Sequence, residues 1–193
     1  MKFLEKIEEY FRITQSEEIA RRYFVMNSFD GVLTVLGIVL GSFVVGIVAS
    51  RTIIYISFIT CFAMFVSGFF GTFMTEKAER ERELKELEKN MLKRLRKSKR
   101  GKAVVIVSLI SSLIDGLSPF IGGIVVIFPF FFTGLIGISL AYKMSFIMAF
   151  LFLFILGAYL GKISKTNLFM NGIKMVGIGA LIVALMILFR IHV

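Results

Sequence analysis

Two aspartates lie within stretches of the sequence that are otherwise apolar. Of the 13 acidic residues, five precede residue 20, six lie between residues 76 and 88, and Asp30 and Asp115 remain. A charge near the middle of a bilayer costs at least about 2.5–3.5 kcal/mol, so such a residue usually faces a partner or an ion path. A carboxylate can bind a divalent cation when ionised and a proton when not. The alternative is a protonated carboxyl group that only hydrogen-bonds a neighbouring helix.

Polar and small residues recur at helical spacing around these acids. In the first apolar stretch, Asp30 shares a stripe with Asn27, Thr34, Gly37 and Gly41. The second stretch offers one face with Thr60, Met64, Ser67, Gly71 and Thr75, and the third offers Ser108, Ser111, Ser112, Asp115 and Ser118. Such oxygen and thioether ligands suit Fe²⁺ or Mn²⁺. The predicted ligands are Asp30, Asp115, Asn27, Thr34 and Met64, and for most of the glycines and serines ordinary helix packing is the alternative.

A second acidic pattern follows the second apolar stretch. Glu76, Glu79, Glu83 and Glu86 are spaced by three, four and three residues, which places them on one side of a continuous helix. A bound cation would relieve their mutual repulsion, so they are further candidate metal ligands. The alternative is a solvated helix with ion pairs such as Glu76–Arg80, Glu81–Lys85 and Glu86–Lys89.

The elements that carry these residues are predicted to be membrane-spanning helices. The chain has 193 residues, of which 57% are hydrophobic, and its mean hydropathy is +0.86. Runs of about 20 apolar residues match the length of a helix that crosses a bilayer. We therefore expect an all-α polytopic membrane protein with five transmembrane helices, near residues 23–49, 53–75, 103–131, 136–161 and 168–190.

The remaining segments are charged and set the expected orientation. Residues 1–22 predict an amphipathic interfacial helix with Phe3, Leu4, Ile7, Phe11 and Ile13 on one side. Segments 23–75 and 103–193 hold the spans, and residues 76–102 form a charged cytoplasmic segment. Twelve Lys and Arg lie between residues 77 and 102 and five precede residue 23. The positive-inside rule then predicts a cytoplasmic N-terminus in a multi-pass protein of the cell membrane. The basic clusters indicate membrane lipids rather than nucleic acid as partners.

A short internal repeat links the two aspartates. Phe29–Gly37 aligns with Ile114–Gly122, since each reads Asp-Gly with a further glycine seven residues after the aspartate. Both copies fall in spans that start on the cytoplasmic side, so they are expected to be parallel. Internal repeats around a central site are common in transporters, although a chance likeness between two glycine-rich helices is the alternative.

These features together resemble the vacuolar iron transporter family, the iron and manganese transporters of plant and fungal vacuoles and their prokaryotic relatives. The motif Ser28-Phe-Asp-Gly-Val-Leu-Thr34, the second span running into Glu76–Glu88, and Gly157-Ala-Tyr-Leu-Gly-Lys-Ile-Ser164 carry the resemblance. It implies a homodimer with the ion path between subunits, Asp30 as metal ligand and proton-coupled carboxylate, and a glutamate helix that collects metal. It implies no permanently bound cofactor, with Fe²⁺ or Mn²⁺ as transported substrate.

The sequence also departs from the family. The second span of the family carries Ser-Met-x-x-Gly-Glu-Tyr, where this chain has Ser67-Gly-Phe-Phe-Gly-Thr-Phe73 and thus lacks the methionine and the glutamate. Met64 is one turn away and could substitute. In the third span Pro129 fits one proline of a family pair and Val126 replaces the other. A divergent prokaryotic member is therefore the expectation.

The leading hypothesis is an exporter of divalent metal from the cytosol in exchange for protons, and not an enzyme. Two other hypotheses stay open. An intramembrane aspartyl protease would use Asp30 and Asp115 as its catalytic pair, and a membrane scaffold would use the basic segment as an anchor without transporting anything.

Overall fold

The structure, a computed structural model, describes residues 9–11, 14 and 16–190, and most of these residues are in helices. Its helices are α1 (Glu17–Val45), α2 (Ser50–Met91), α3 (Lys99–Ile127), α4 (Thr133–Ile136), α5 (Ile138–Ile163) and α6 (Leu168–Arg190), with a 3-10 helix at Phe128–Phe132. Five helical segments are long and apolar enough to cross a membrane. The prediction of an all-α polytopic protein with five spans is confirmed.

The helix ends differ from the predicted ones for local reasons. α1 ends at Val45 rather than at residue 49, because Gly46 takes a φ of +79°. The third helix ends at Ile127 rather than at residue 131, and a 3-10 turn that contains Pro129 follows it. The next break comes at Gly137, with a φ of +77°, and not at the predicted turn near residues 132–134. The fifth span matches its predicted limits.

The predicted amphipathic helix of residues 1–22 is covered only in part. Phe3, Leu4, Ile7 and Ile13 lie outside the described residues, whereas residues 9–11 are helical and Phe11 is buried. The upper limit of this segment is wrong, since α1 already begins at Glu17.

The chain divides into two compact units. The first consists of Met1–Phe24 and Phe65–Leu117. Its apolar centre is small and contains Phe11, Ala20, Ala103 and Val107. Within it, α2 continues without a break from its apolar part into the charged sequence and ends at Met91. Glu88 Oε1 then accepts hydrogen bonds from the backbone N–H groups of Leu95 and Arg96, which fixes the turn that leads into α3.

The second unit consists of Val25–Met64 and Ser118–Val193. Its core is larger and includes the fully buried Val32, Val35, Leu36 and Val39 of α1. Gly31 lies so close to the backbone of Pro119 that a Cβ atom would clash with it, and Val35 contacts Gly123. Within this unit α1 and α3 therefore run in the same direction at close range, as the small-residue pattern of membrane helices allows.

Candidate functional site

Asp115 is a buried carboxyl group in the first unit. Only 6% of the residue is exposed, and its Oδ2 accepts a hydrogen bond of 2.7 Å from the hydroxyl of Thr72 on α2. A Cβ atom on Gly68 would lie 3.0 Å from the same oxygen, and one on Gly116 would lie 2.8 Å from the carbonyl oxygen of Phe65. The two glycines therefore let α2 and α3 approach closely enough for the Thr72 hydroxyl to reach the acid.

The serines of α3 share this buried side of the helix. Ser108, Ser111, Ser112 and Ser118 are all fully buried. The hydroxyl groups of Ser108 and Ser112 donate to the carbonyls of Val104 and Leu109 in their own helix, a common arrangement for serine in membrane helices. Ser111 Oγ has no hydrogen-bond partner among the described residues. The predicted polar face of α3 thus exists, with one hydroxyl group still available.

Asp30 has the opposite environment, in the second unit. It is exposed on the surface of the single chain, while Ser28, Gly31 and Val32 on neighbouring positions of α1 are buried. Asn27 and Thr34, the other predicted ligands on this helix, are half-buried. A Cβ atom on Gly41 would meet no described atom within 4 Å. The side of α1 that carries the predicted stripe is therefore only partly covered in this chain, with Asp30 as its exposed residue.

The polar stripe predicted on α2 is also exposed, and the row beside it is the packed one. Ser67, Gly71 and Thr75 are exposed, and Met64 is half-buried. Thr72, which contacts Asp115, was not among the predicted site residues. It belongs to the row Gly68, Thr72 and Glu76, one residue later than the predicted stripe. The acid at the C-terminal end of this row was a signal that could have identified it.

The four glutamates of the predicted stripe on α2 divide into one buried residue and three exposed residues. Glu76 is buried, accepts a hydrogen bond of 2.7 Å from Tyr23 and forms an ion pair of 2.6 Å with Arg80. Glu79, Glu83 and Glu86 are exposed. Arg82 pairs with Glu86 at 3.2 Å and with Glu79 at 3.6 Å. The hydrogen bond to Glu86 and then the charge of Glu79 raise the pKa of Arg82, which lies beyond the apolar part of α2.

The glutamate stripe is therefore continuous, but it is not a preformed metal site. No group of three or more His, Cys, Asp or Glu side chains converges into a cation site anywhere in the described part of the chain. The predicted ion pair between Glu76 and Arg80 is present, and the partner that the structure gives Glu86 is Arg82 rather than Lys89. Arginines thus neutralise much of the stripe.

Comparison with known proteins gives one informative match. No protein-family model matches the chain, and no solved structure matches it. The chain is 39% identical over 176 residues to the protein described as Uncharacterized protein MJ0645 of the archaeon Methanocaldococcus jannaschii, and the alignment covers 90% of this chain and 89% of the relative. The likeness to vacuolar iron transporters stays a prediction. The chain belongs to the same family as this M. jannaschii protein.

Proposed function

We propose that this protein transports a divalent cation, Fe²⁺ or Mn²⁺, out of the cytosol in exchange for protons. The observation that carries the proposal is the exposure of Asp30. At about 1.5 Å per residue, Asp30 lies about 12 Å along α1 from Arg22, well inside the apolar sequence. A carboxylate at that depth is costly against lipid. Asp30 must therefore face either a water-filled path or another protein surface.

A second copy of the chain is the cover that the surrounding residues favour. The half-buried Thr34, Gly37 and Gly41 lie on the same side of α1 as the acid. The exposed side of α2 carries Ser67, Gly71 and Thr75. A Cβ atom on Gly41 or on Gly71 would meet nothing within 4 Å in the described chain. Small residues that pack against nothing in their own chain are the kind that let helices of two chains approach. In a homodimer the two copies of Asp30 would supply two carboxylates to one path.

Asp115 suits the proton side of the exchange. It is buried and already receives a hydrogen bond from Thr72, and burial in an apolar medium favours the neutral form of a carboxyl group. Asp30 is then the first candidate for the cation and Asp115 the candidate for the proton. The exposed Glu79, Glu83 and Glu86 would attract cations at the cytoplasmic end of the path.

Transport in proteoliposomes tests the proposal. Purified protein is reconstituted with a pH dye inside the vesicles, and Fe²⁺, Mn²⁺, Co²⁺ or Zn²⁺ is added outside. We expect Fe²⁺ or Mn²⁺ to move protons with the wild type and with the control Glu18→Gln, which removes an exposed carboxylate at the start of α1. We expect no movement with Asp30→Ala. Transport by Asp30→Ala at the wild-type rate would refute the mechanism.

Cross-linking tests the homodimer separately. On a Cys61→Ala background, Gly41→Cys is expected to form a disulfide between two chains in the membrane, because Gly41 lies on the open face of α1. Leu181→Cys on the exposed side of α6 is the control and is expected to stay monomeric on a denaturing gel. Equal cross-linking of the two variants would argue against a specific contact through α1.

A further inference from the structure

A cavity of about 260 Å³ lies in the first unit, and its lining does not include Asp115. Its polar lining consists of Thr14, Arg80, Glu83 and Arg100. Arg80 comes from the charged part of α2 and Arg100 from the first turn of α3, so the sequence predicts this region on the cytoplasmic side of the membrane. Two guanidinium groups thus line one small space.

Arg80 is unusual among the arginines because it is buried. Only 5% of the residue is exposed, whereas Arg82, two residues later and on the opposite side of α2, has 69% of its side chain exposed. One Nη atom of Arg80 is bound to Glu76, and that carboxylate also accepts a hydrogen bond from Tyr23. Arg80 Nε has no hydrogen-bond partner among the described residues. A buried donor without a partner is rare, and such a group is a reason to look for a ligand.

The charges around the cavity favour an anion. Within the lining, two arginines face one acid, Glu83. Arg100 and Glu83 are both exposed, and the partner of Arg80, Glu76, is not part of the lining. The guanidinium group presents several N–H donors in a planar fork that matches the oxygens of a phosphate group. Thr14 Oγ1 donates to the carbonyl of Tyr10, so its hydroxyl group adds polarity without competing for the arginines.

The rest of the lining is apolar. Leu84, Leu87 and Val104 complete the cavity, and Val104 is in the first turns of the apolar part of α3. Basic pockets with this placement on the cytoplasmic side are suited to the headgroups of anionic lipids. A free phosphate anion would use the same two arginines but not the apolar side.

We propose that this cavity binds a phosphate group through Arg80 and Arg100, carried by an anionic phospholipid or free in solution. The inference does not depend on the transport function, because none of the lining residues belongs to the proposed cation path except Glu83. Binding would satisfy the buried Nε donor of Arg80 and place the ligand between α2, α3 and the segment around Thr14.

Thermal unfolding in detergent measures the binding. Cys61 is the single cysteine of the chain and is buried, so a thiol-reactive dye reports unfolding without a new label. The protein is titrated with short-chain phosphatidylglycerol, with short-chain phosphatidylcholine, and with inorganic phosphate against sodium chloride of equal ionic strength. We expect phosphatidylglycerol to raise the melting temperature and phosphatidylcholine to leave it unchanged. A rise with inorganic phosphate at millimolar concentration would instead identify the free anion as the source.

Three variants separate the cavity from general surface charge. Arg100→Gln is expected to weaken binding of the stabilising anion about fivefold, the effect of removing one positive charge near an anionic headgroup. Glu83→Gln is expected to strengthen binding, because it removes the one acid of the lining. Arg82→Gln takes away an exposed arginine of the same helix outside the cavity and is expected to bind like the wild type.

Arg80→Gln removes the buried donor and also the partner of Glu76, so its own unfolding could obscure a loss of binding. The double variant Glu76→Gln with Arg80→Gln avoids an unpaired buried carboxylate and is expected not to bind. An unchanged melting temperature with every anion would overturn the proposal. An identical stabilisation of the wild type, Arg100→Gln and Glu83→Gln would overturn it equally.

Discussion

The two Asp-Gly pairs of the chain, Asp30-Gly31 and Asp115-Gly116, are alike in their glycines and different in their acids. Gly31 lies against the backbone of Pro119, and Gly116 lies against the backbone of Phe65. Asp115 is buried and hydrogen-bonded to Thr72, whereas Asp30 is exposed. In both pairs the glycine lies against the backbone of another helix, whereas the carboxylate is buried in one pair and exposed in the other.

The difference follows from the phase of each helix. An α-helix turns by about 100° per residue, so a shift of one position moves a side chain from the centre of a packed face to its edge. The packed face of α1 runs through Ser28, Val32, Val35 and Val39, and Asp30 is not on it. The packed face of α3 runs through Ser108, Ser111, Asp115 and Ser118, so this aspartate is on it. Small and polar residues, rather than apolar ones, mark the packed row of α3.

Replacing either glycine by a bulky residue should lower the stability most, and it tests whether the two glycines have the same packing role. Gly31→Leu and Gly116→Leu should each destabilise the protein by about 3 kcal/mol or more, because the new side chain would meet backbone atoms that cannot move aside. Gly41→Leu, at a position with open space, should leave the unfolding of the single chain unchanged. The measurement is thermal or denaturant unfolding in detergent, followed by the reactivity of Cys61.

A stable Gly31→Leu variant would show that α1 and α3 are farther apart than the structure places them. In that case the two glycines would not have the same role, and the two pairs would differ in both residues.

Removing each acid tests whether the two carboxylates lie in different environments, and the expected change in stability is smaller. Asp115→Ala leaves the Thr72 hydroxyl without its acceptor in an apolar setting, which should cost about 1–3 kcal/mol of the free energy of unfolding. Asp115→Asn keeps an acceptor for Thr72 and should cost less. Asp30→Ala should not lower the free energy of unfolding, since it removes an exposed charge. The same unfolding assay ranks the three variants.

Equal destabilisation by Asp30→Ala and Asp115→Ala would contradict the separate environments of the two acids. In combination with the transport assay, the pair also distinguishes roles. A variant that loses transport without losing stability has lost a functional group, and Asp30→Ala is the one expected to do so.

The sequence alone predicted the helices better than the faces that they bury. Long apolar runs fixed the number of spans, and the break at Gly46 and the 3-10 turn at Pro129 moved only their ends. Hydrophobicity could not tell a lipid-facing side from a packed one, because both are apolar in a membrane protein. The exposed row Ser67, Gly71 and Thr75 therefore looked as plausible as the packed row that contains Thr72.

The partners of single polar groups were the least predictable part. Glu76 and Arg80 are four residues apart, and their ion pair follows from helical spacing. Tyr23, the other partner of Glu76, comes from a helix 53 residues earlier in the chain. Spacing within one helix carries no information about such a contact, so the sequence did not distinguish the buried Glu76 from the three exposed glutamates of the stripe.

Loss of the ion pair between Lys99 and Glu9 should lower the stability least. This pair lies in the same unit as Asp115 but is exposed, so it shows how little an exposed polar contact contributes compared with the buried one. The hydrogen bond and the charge of Glu9 raise the pKa of Lys99 above its ordinary value of 10.5. A cation whose pKa is raised by folding stabilises the folded state fully below its unfolded pKa, and this contribution disappears as the pH rises through the folded pKa. Lys99→Met should therefore melt slightly below the wild type at neutral pH, and the difference should vanish only when the pH exceeds the raised pKa of Lys99. A difference in melting temperature that stays constant through that range would show that the lysine acts through its alkyl chain. Lys97→Met, at an exposed position nearby, is the control for the change of net charge.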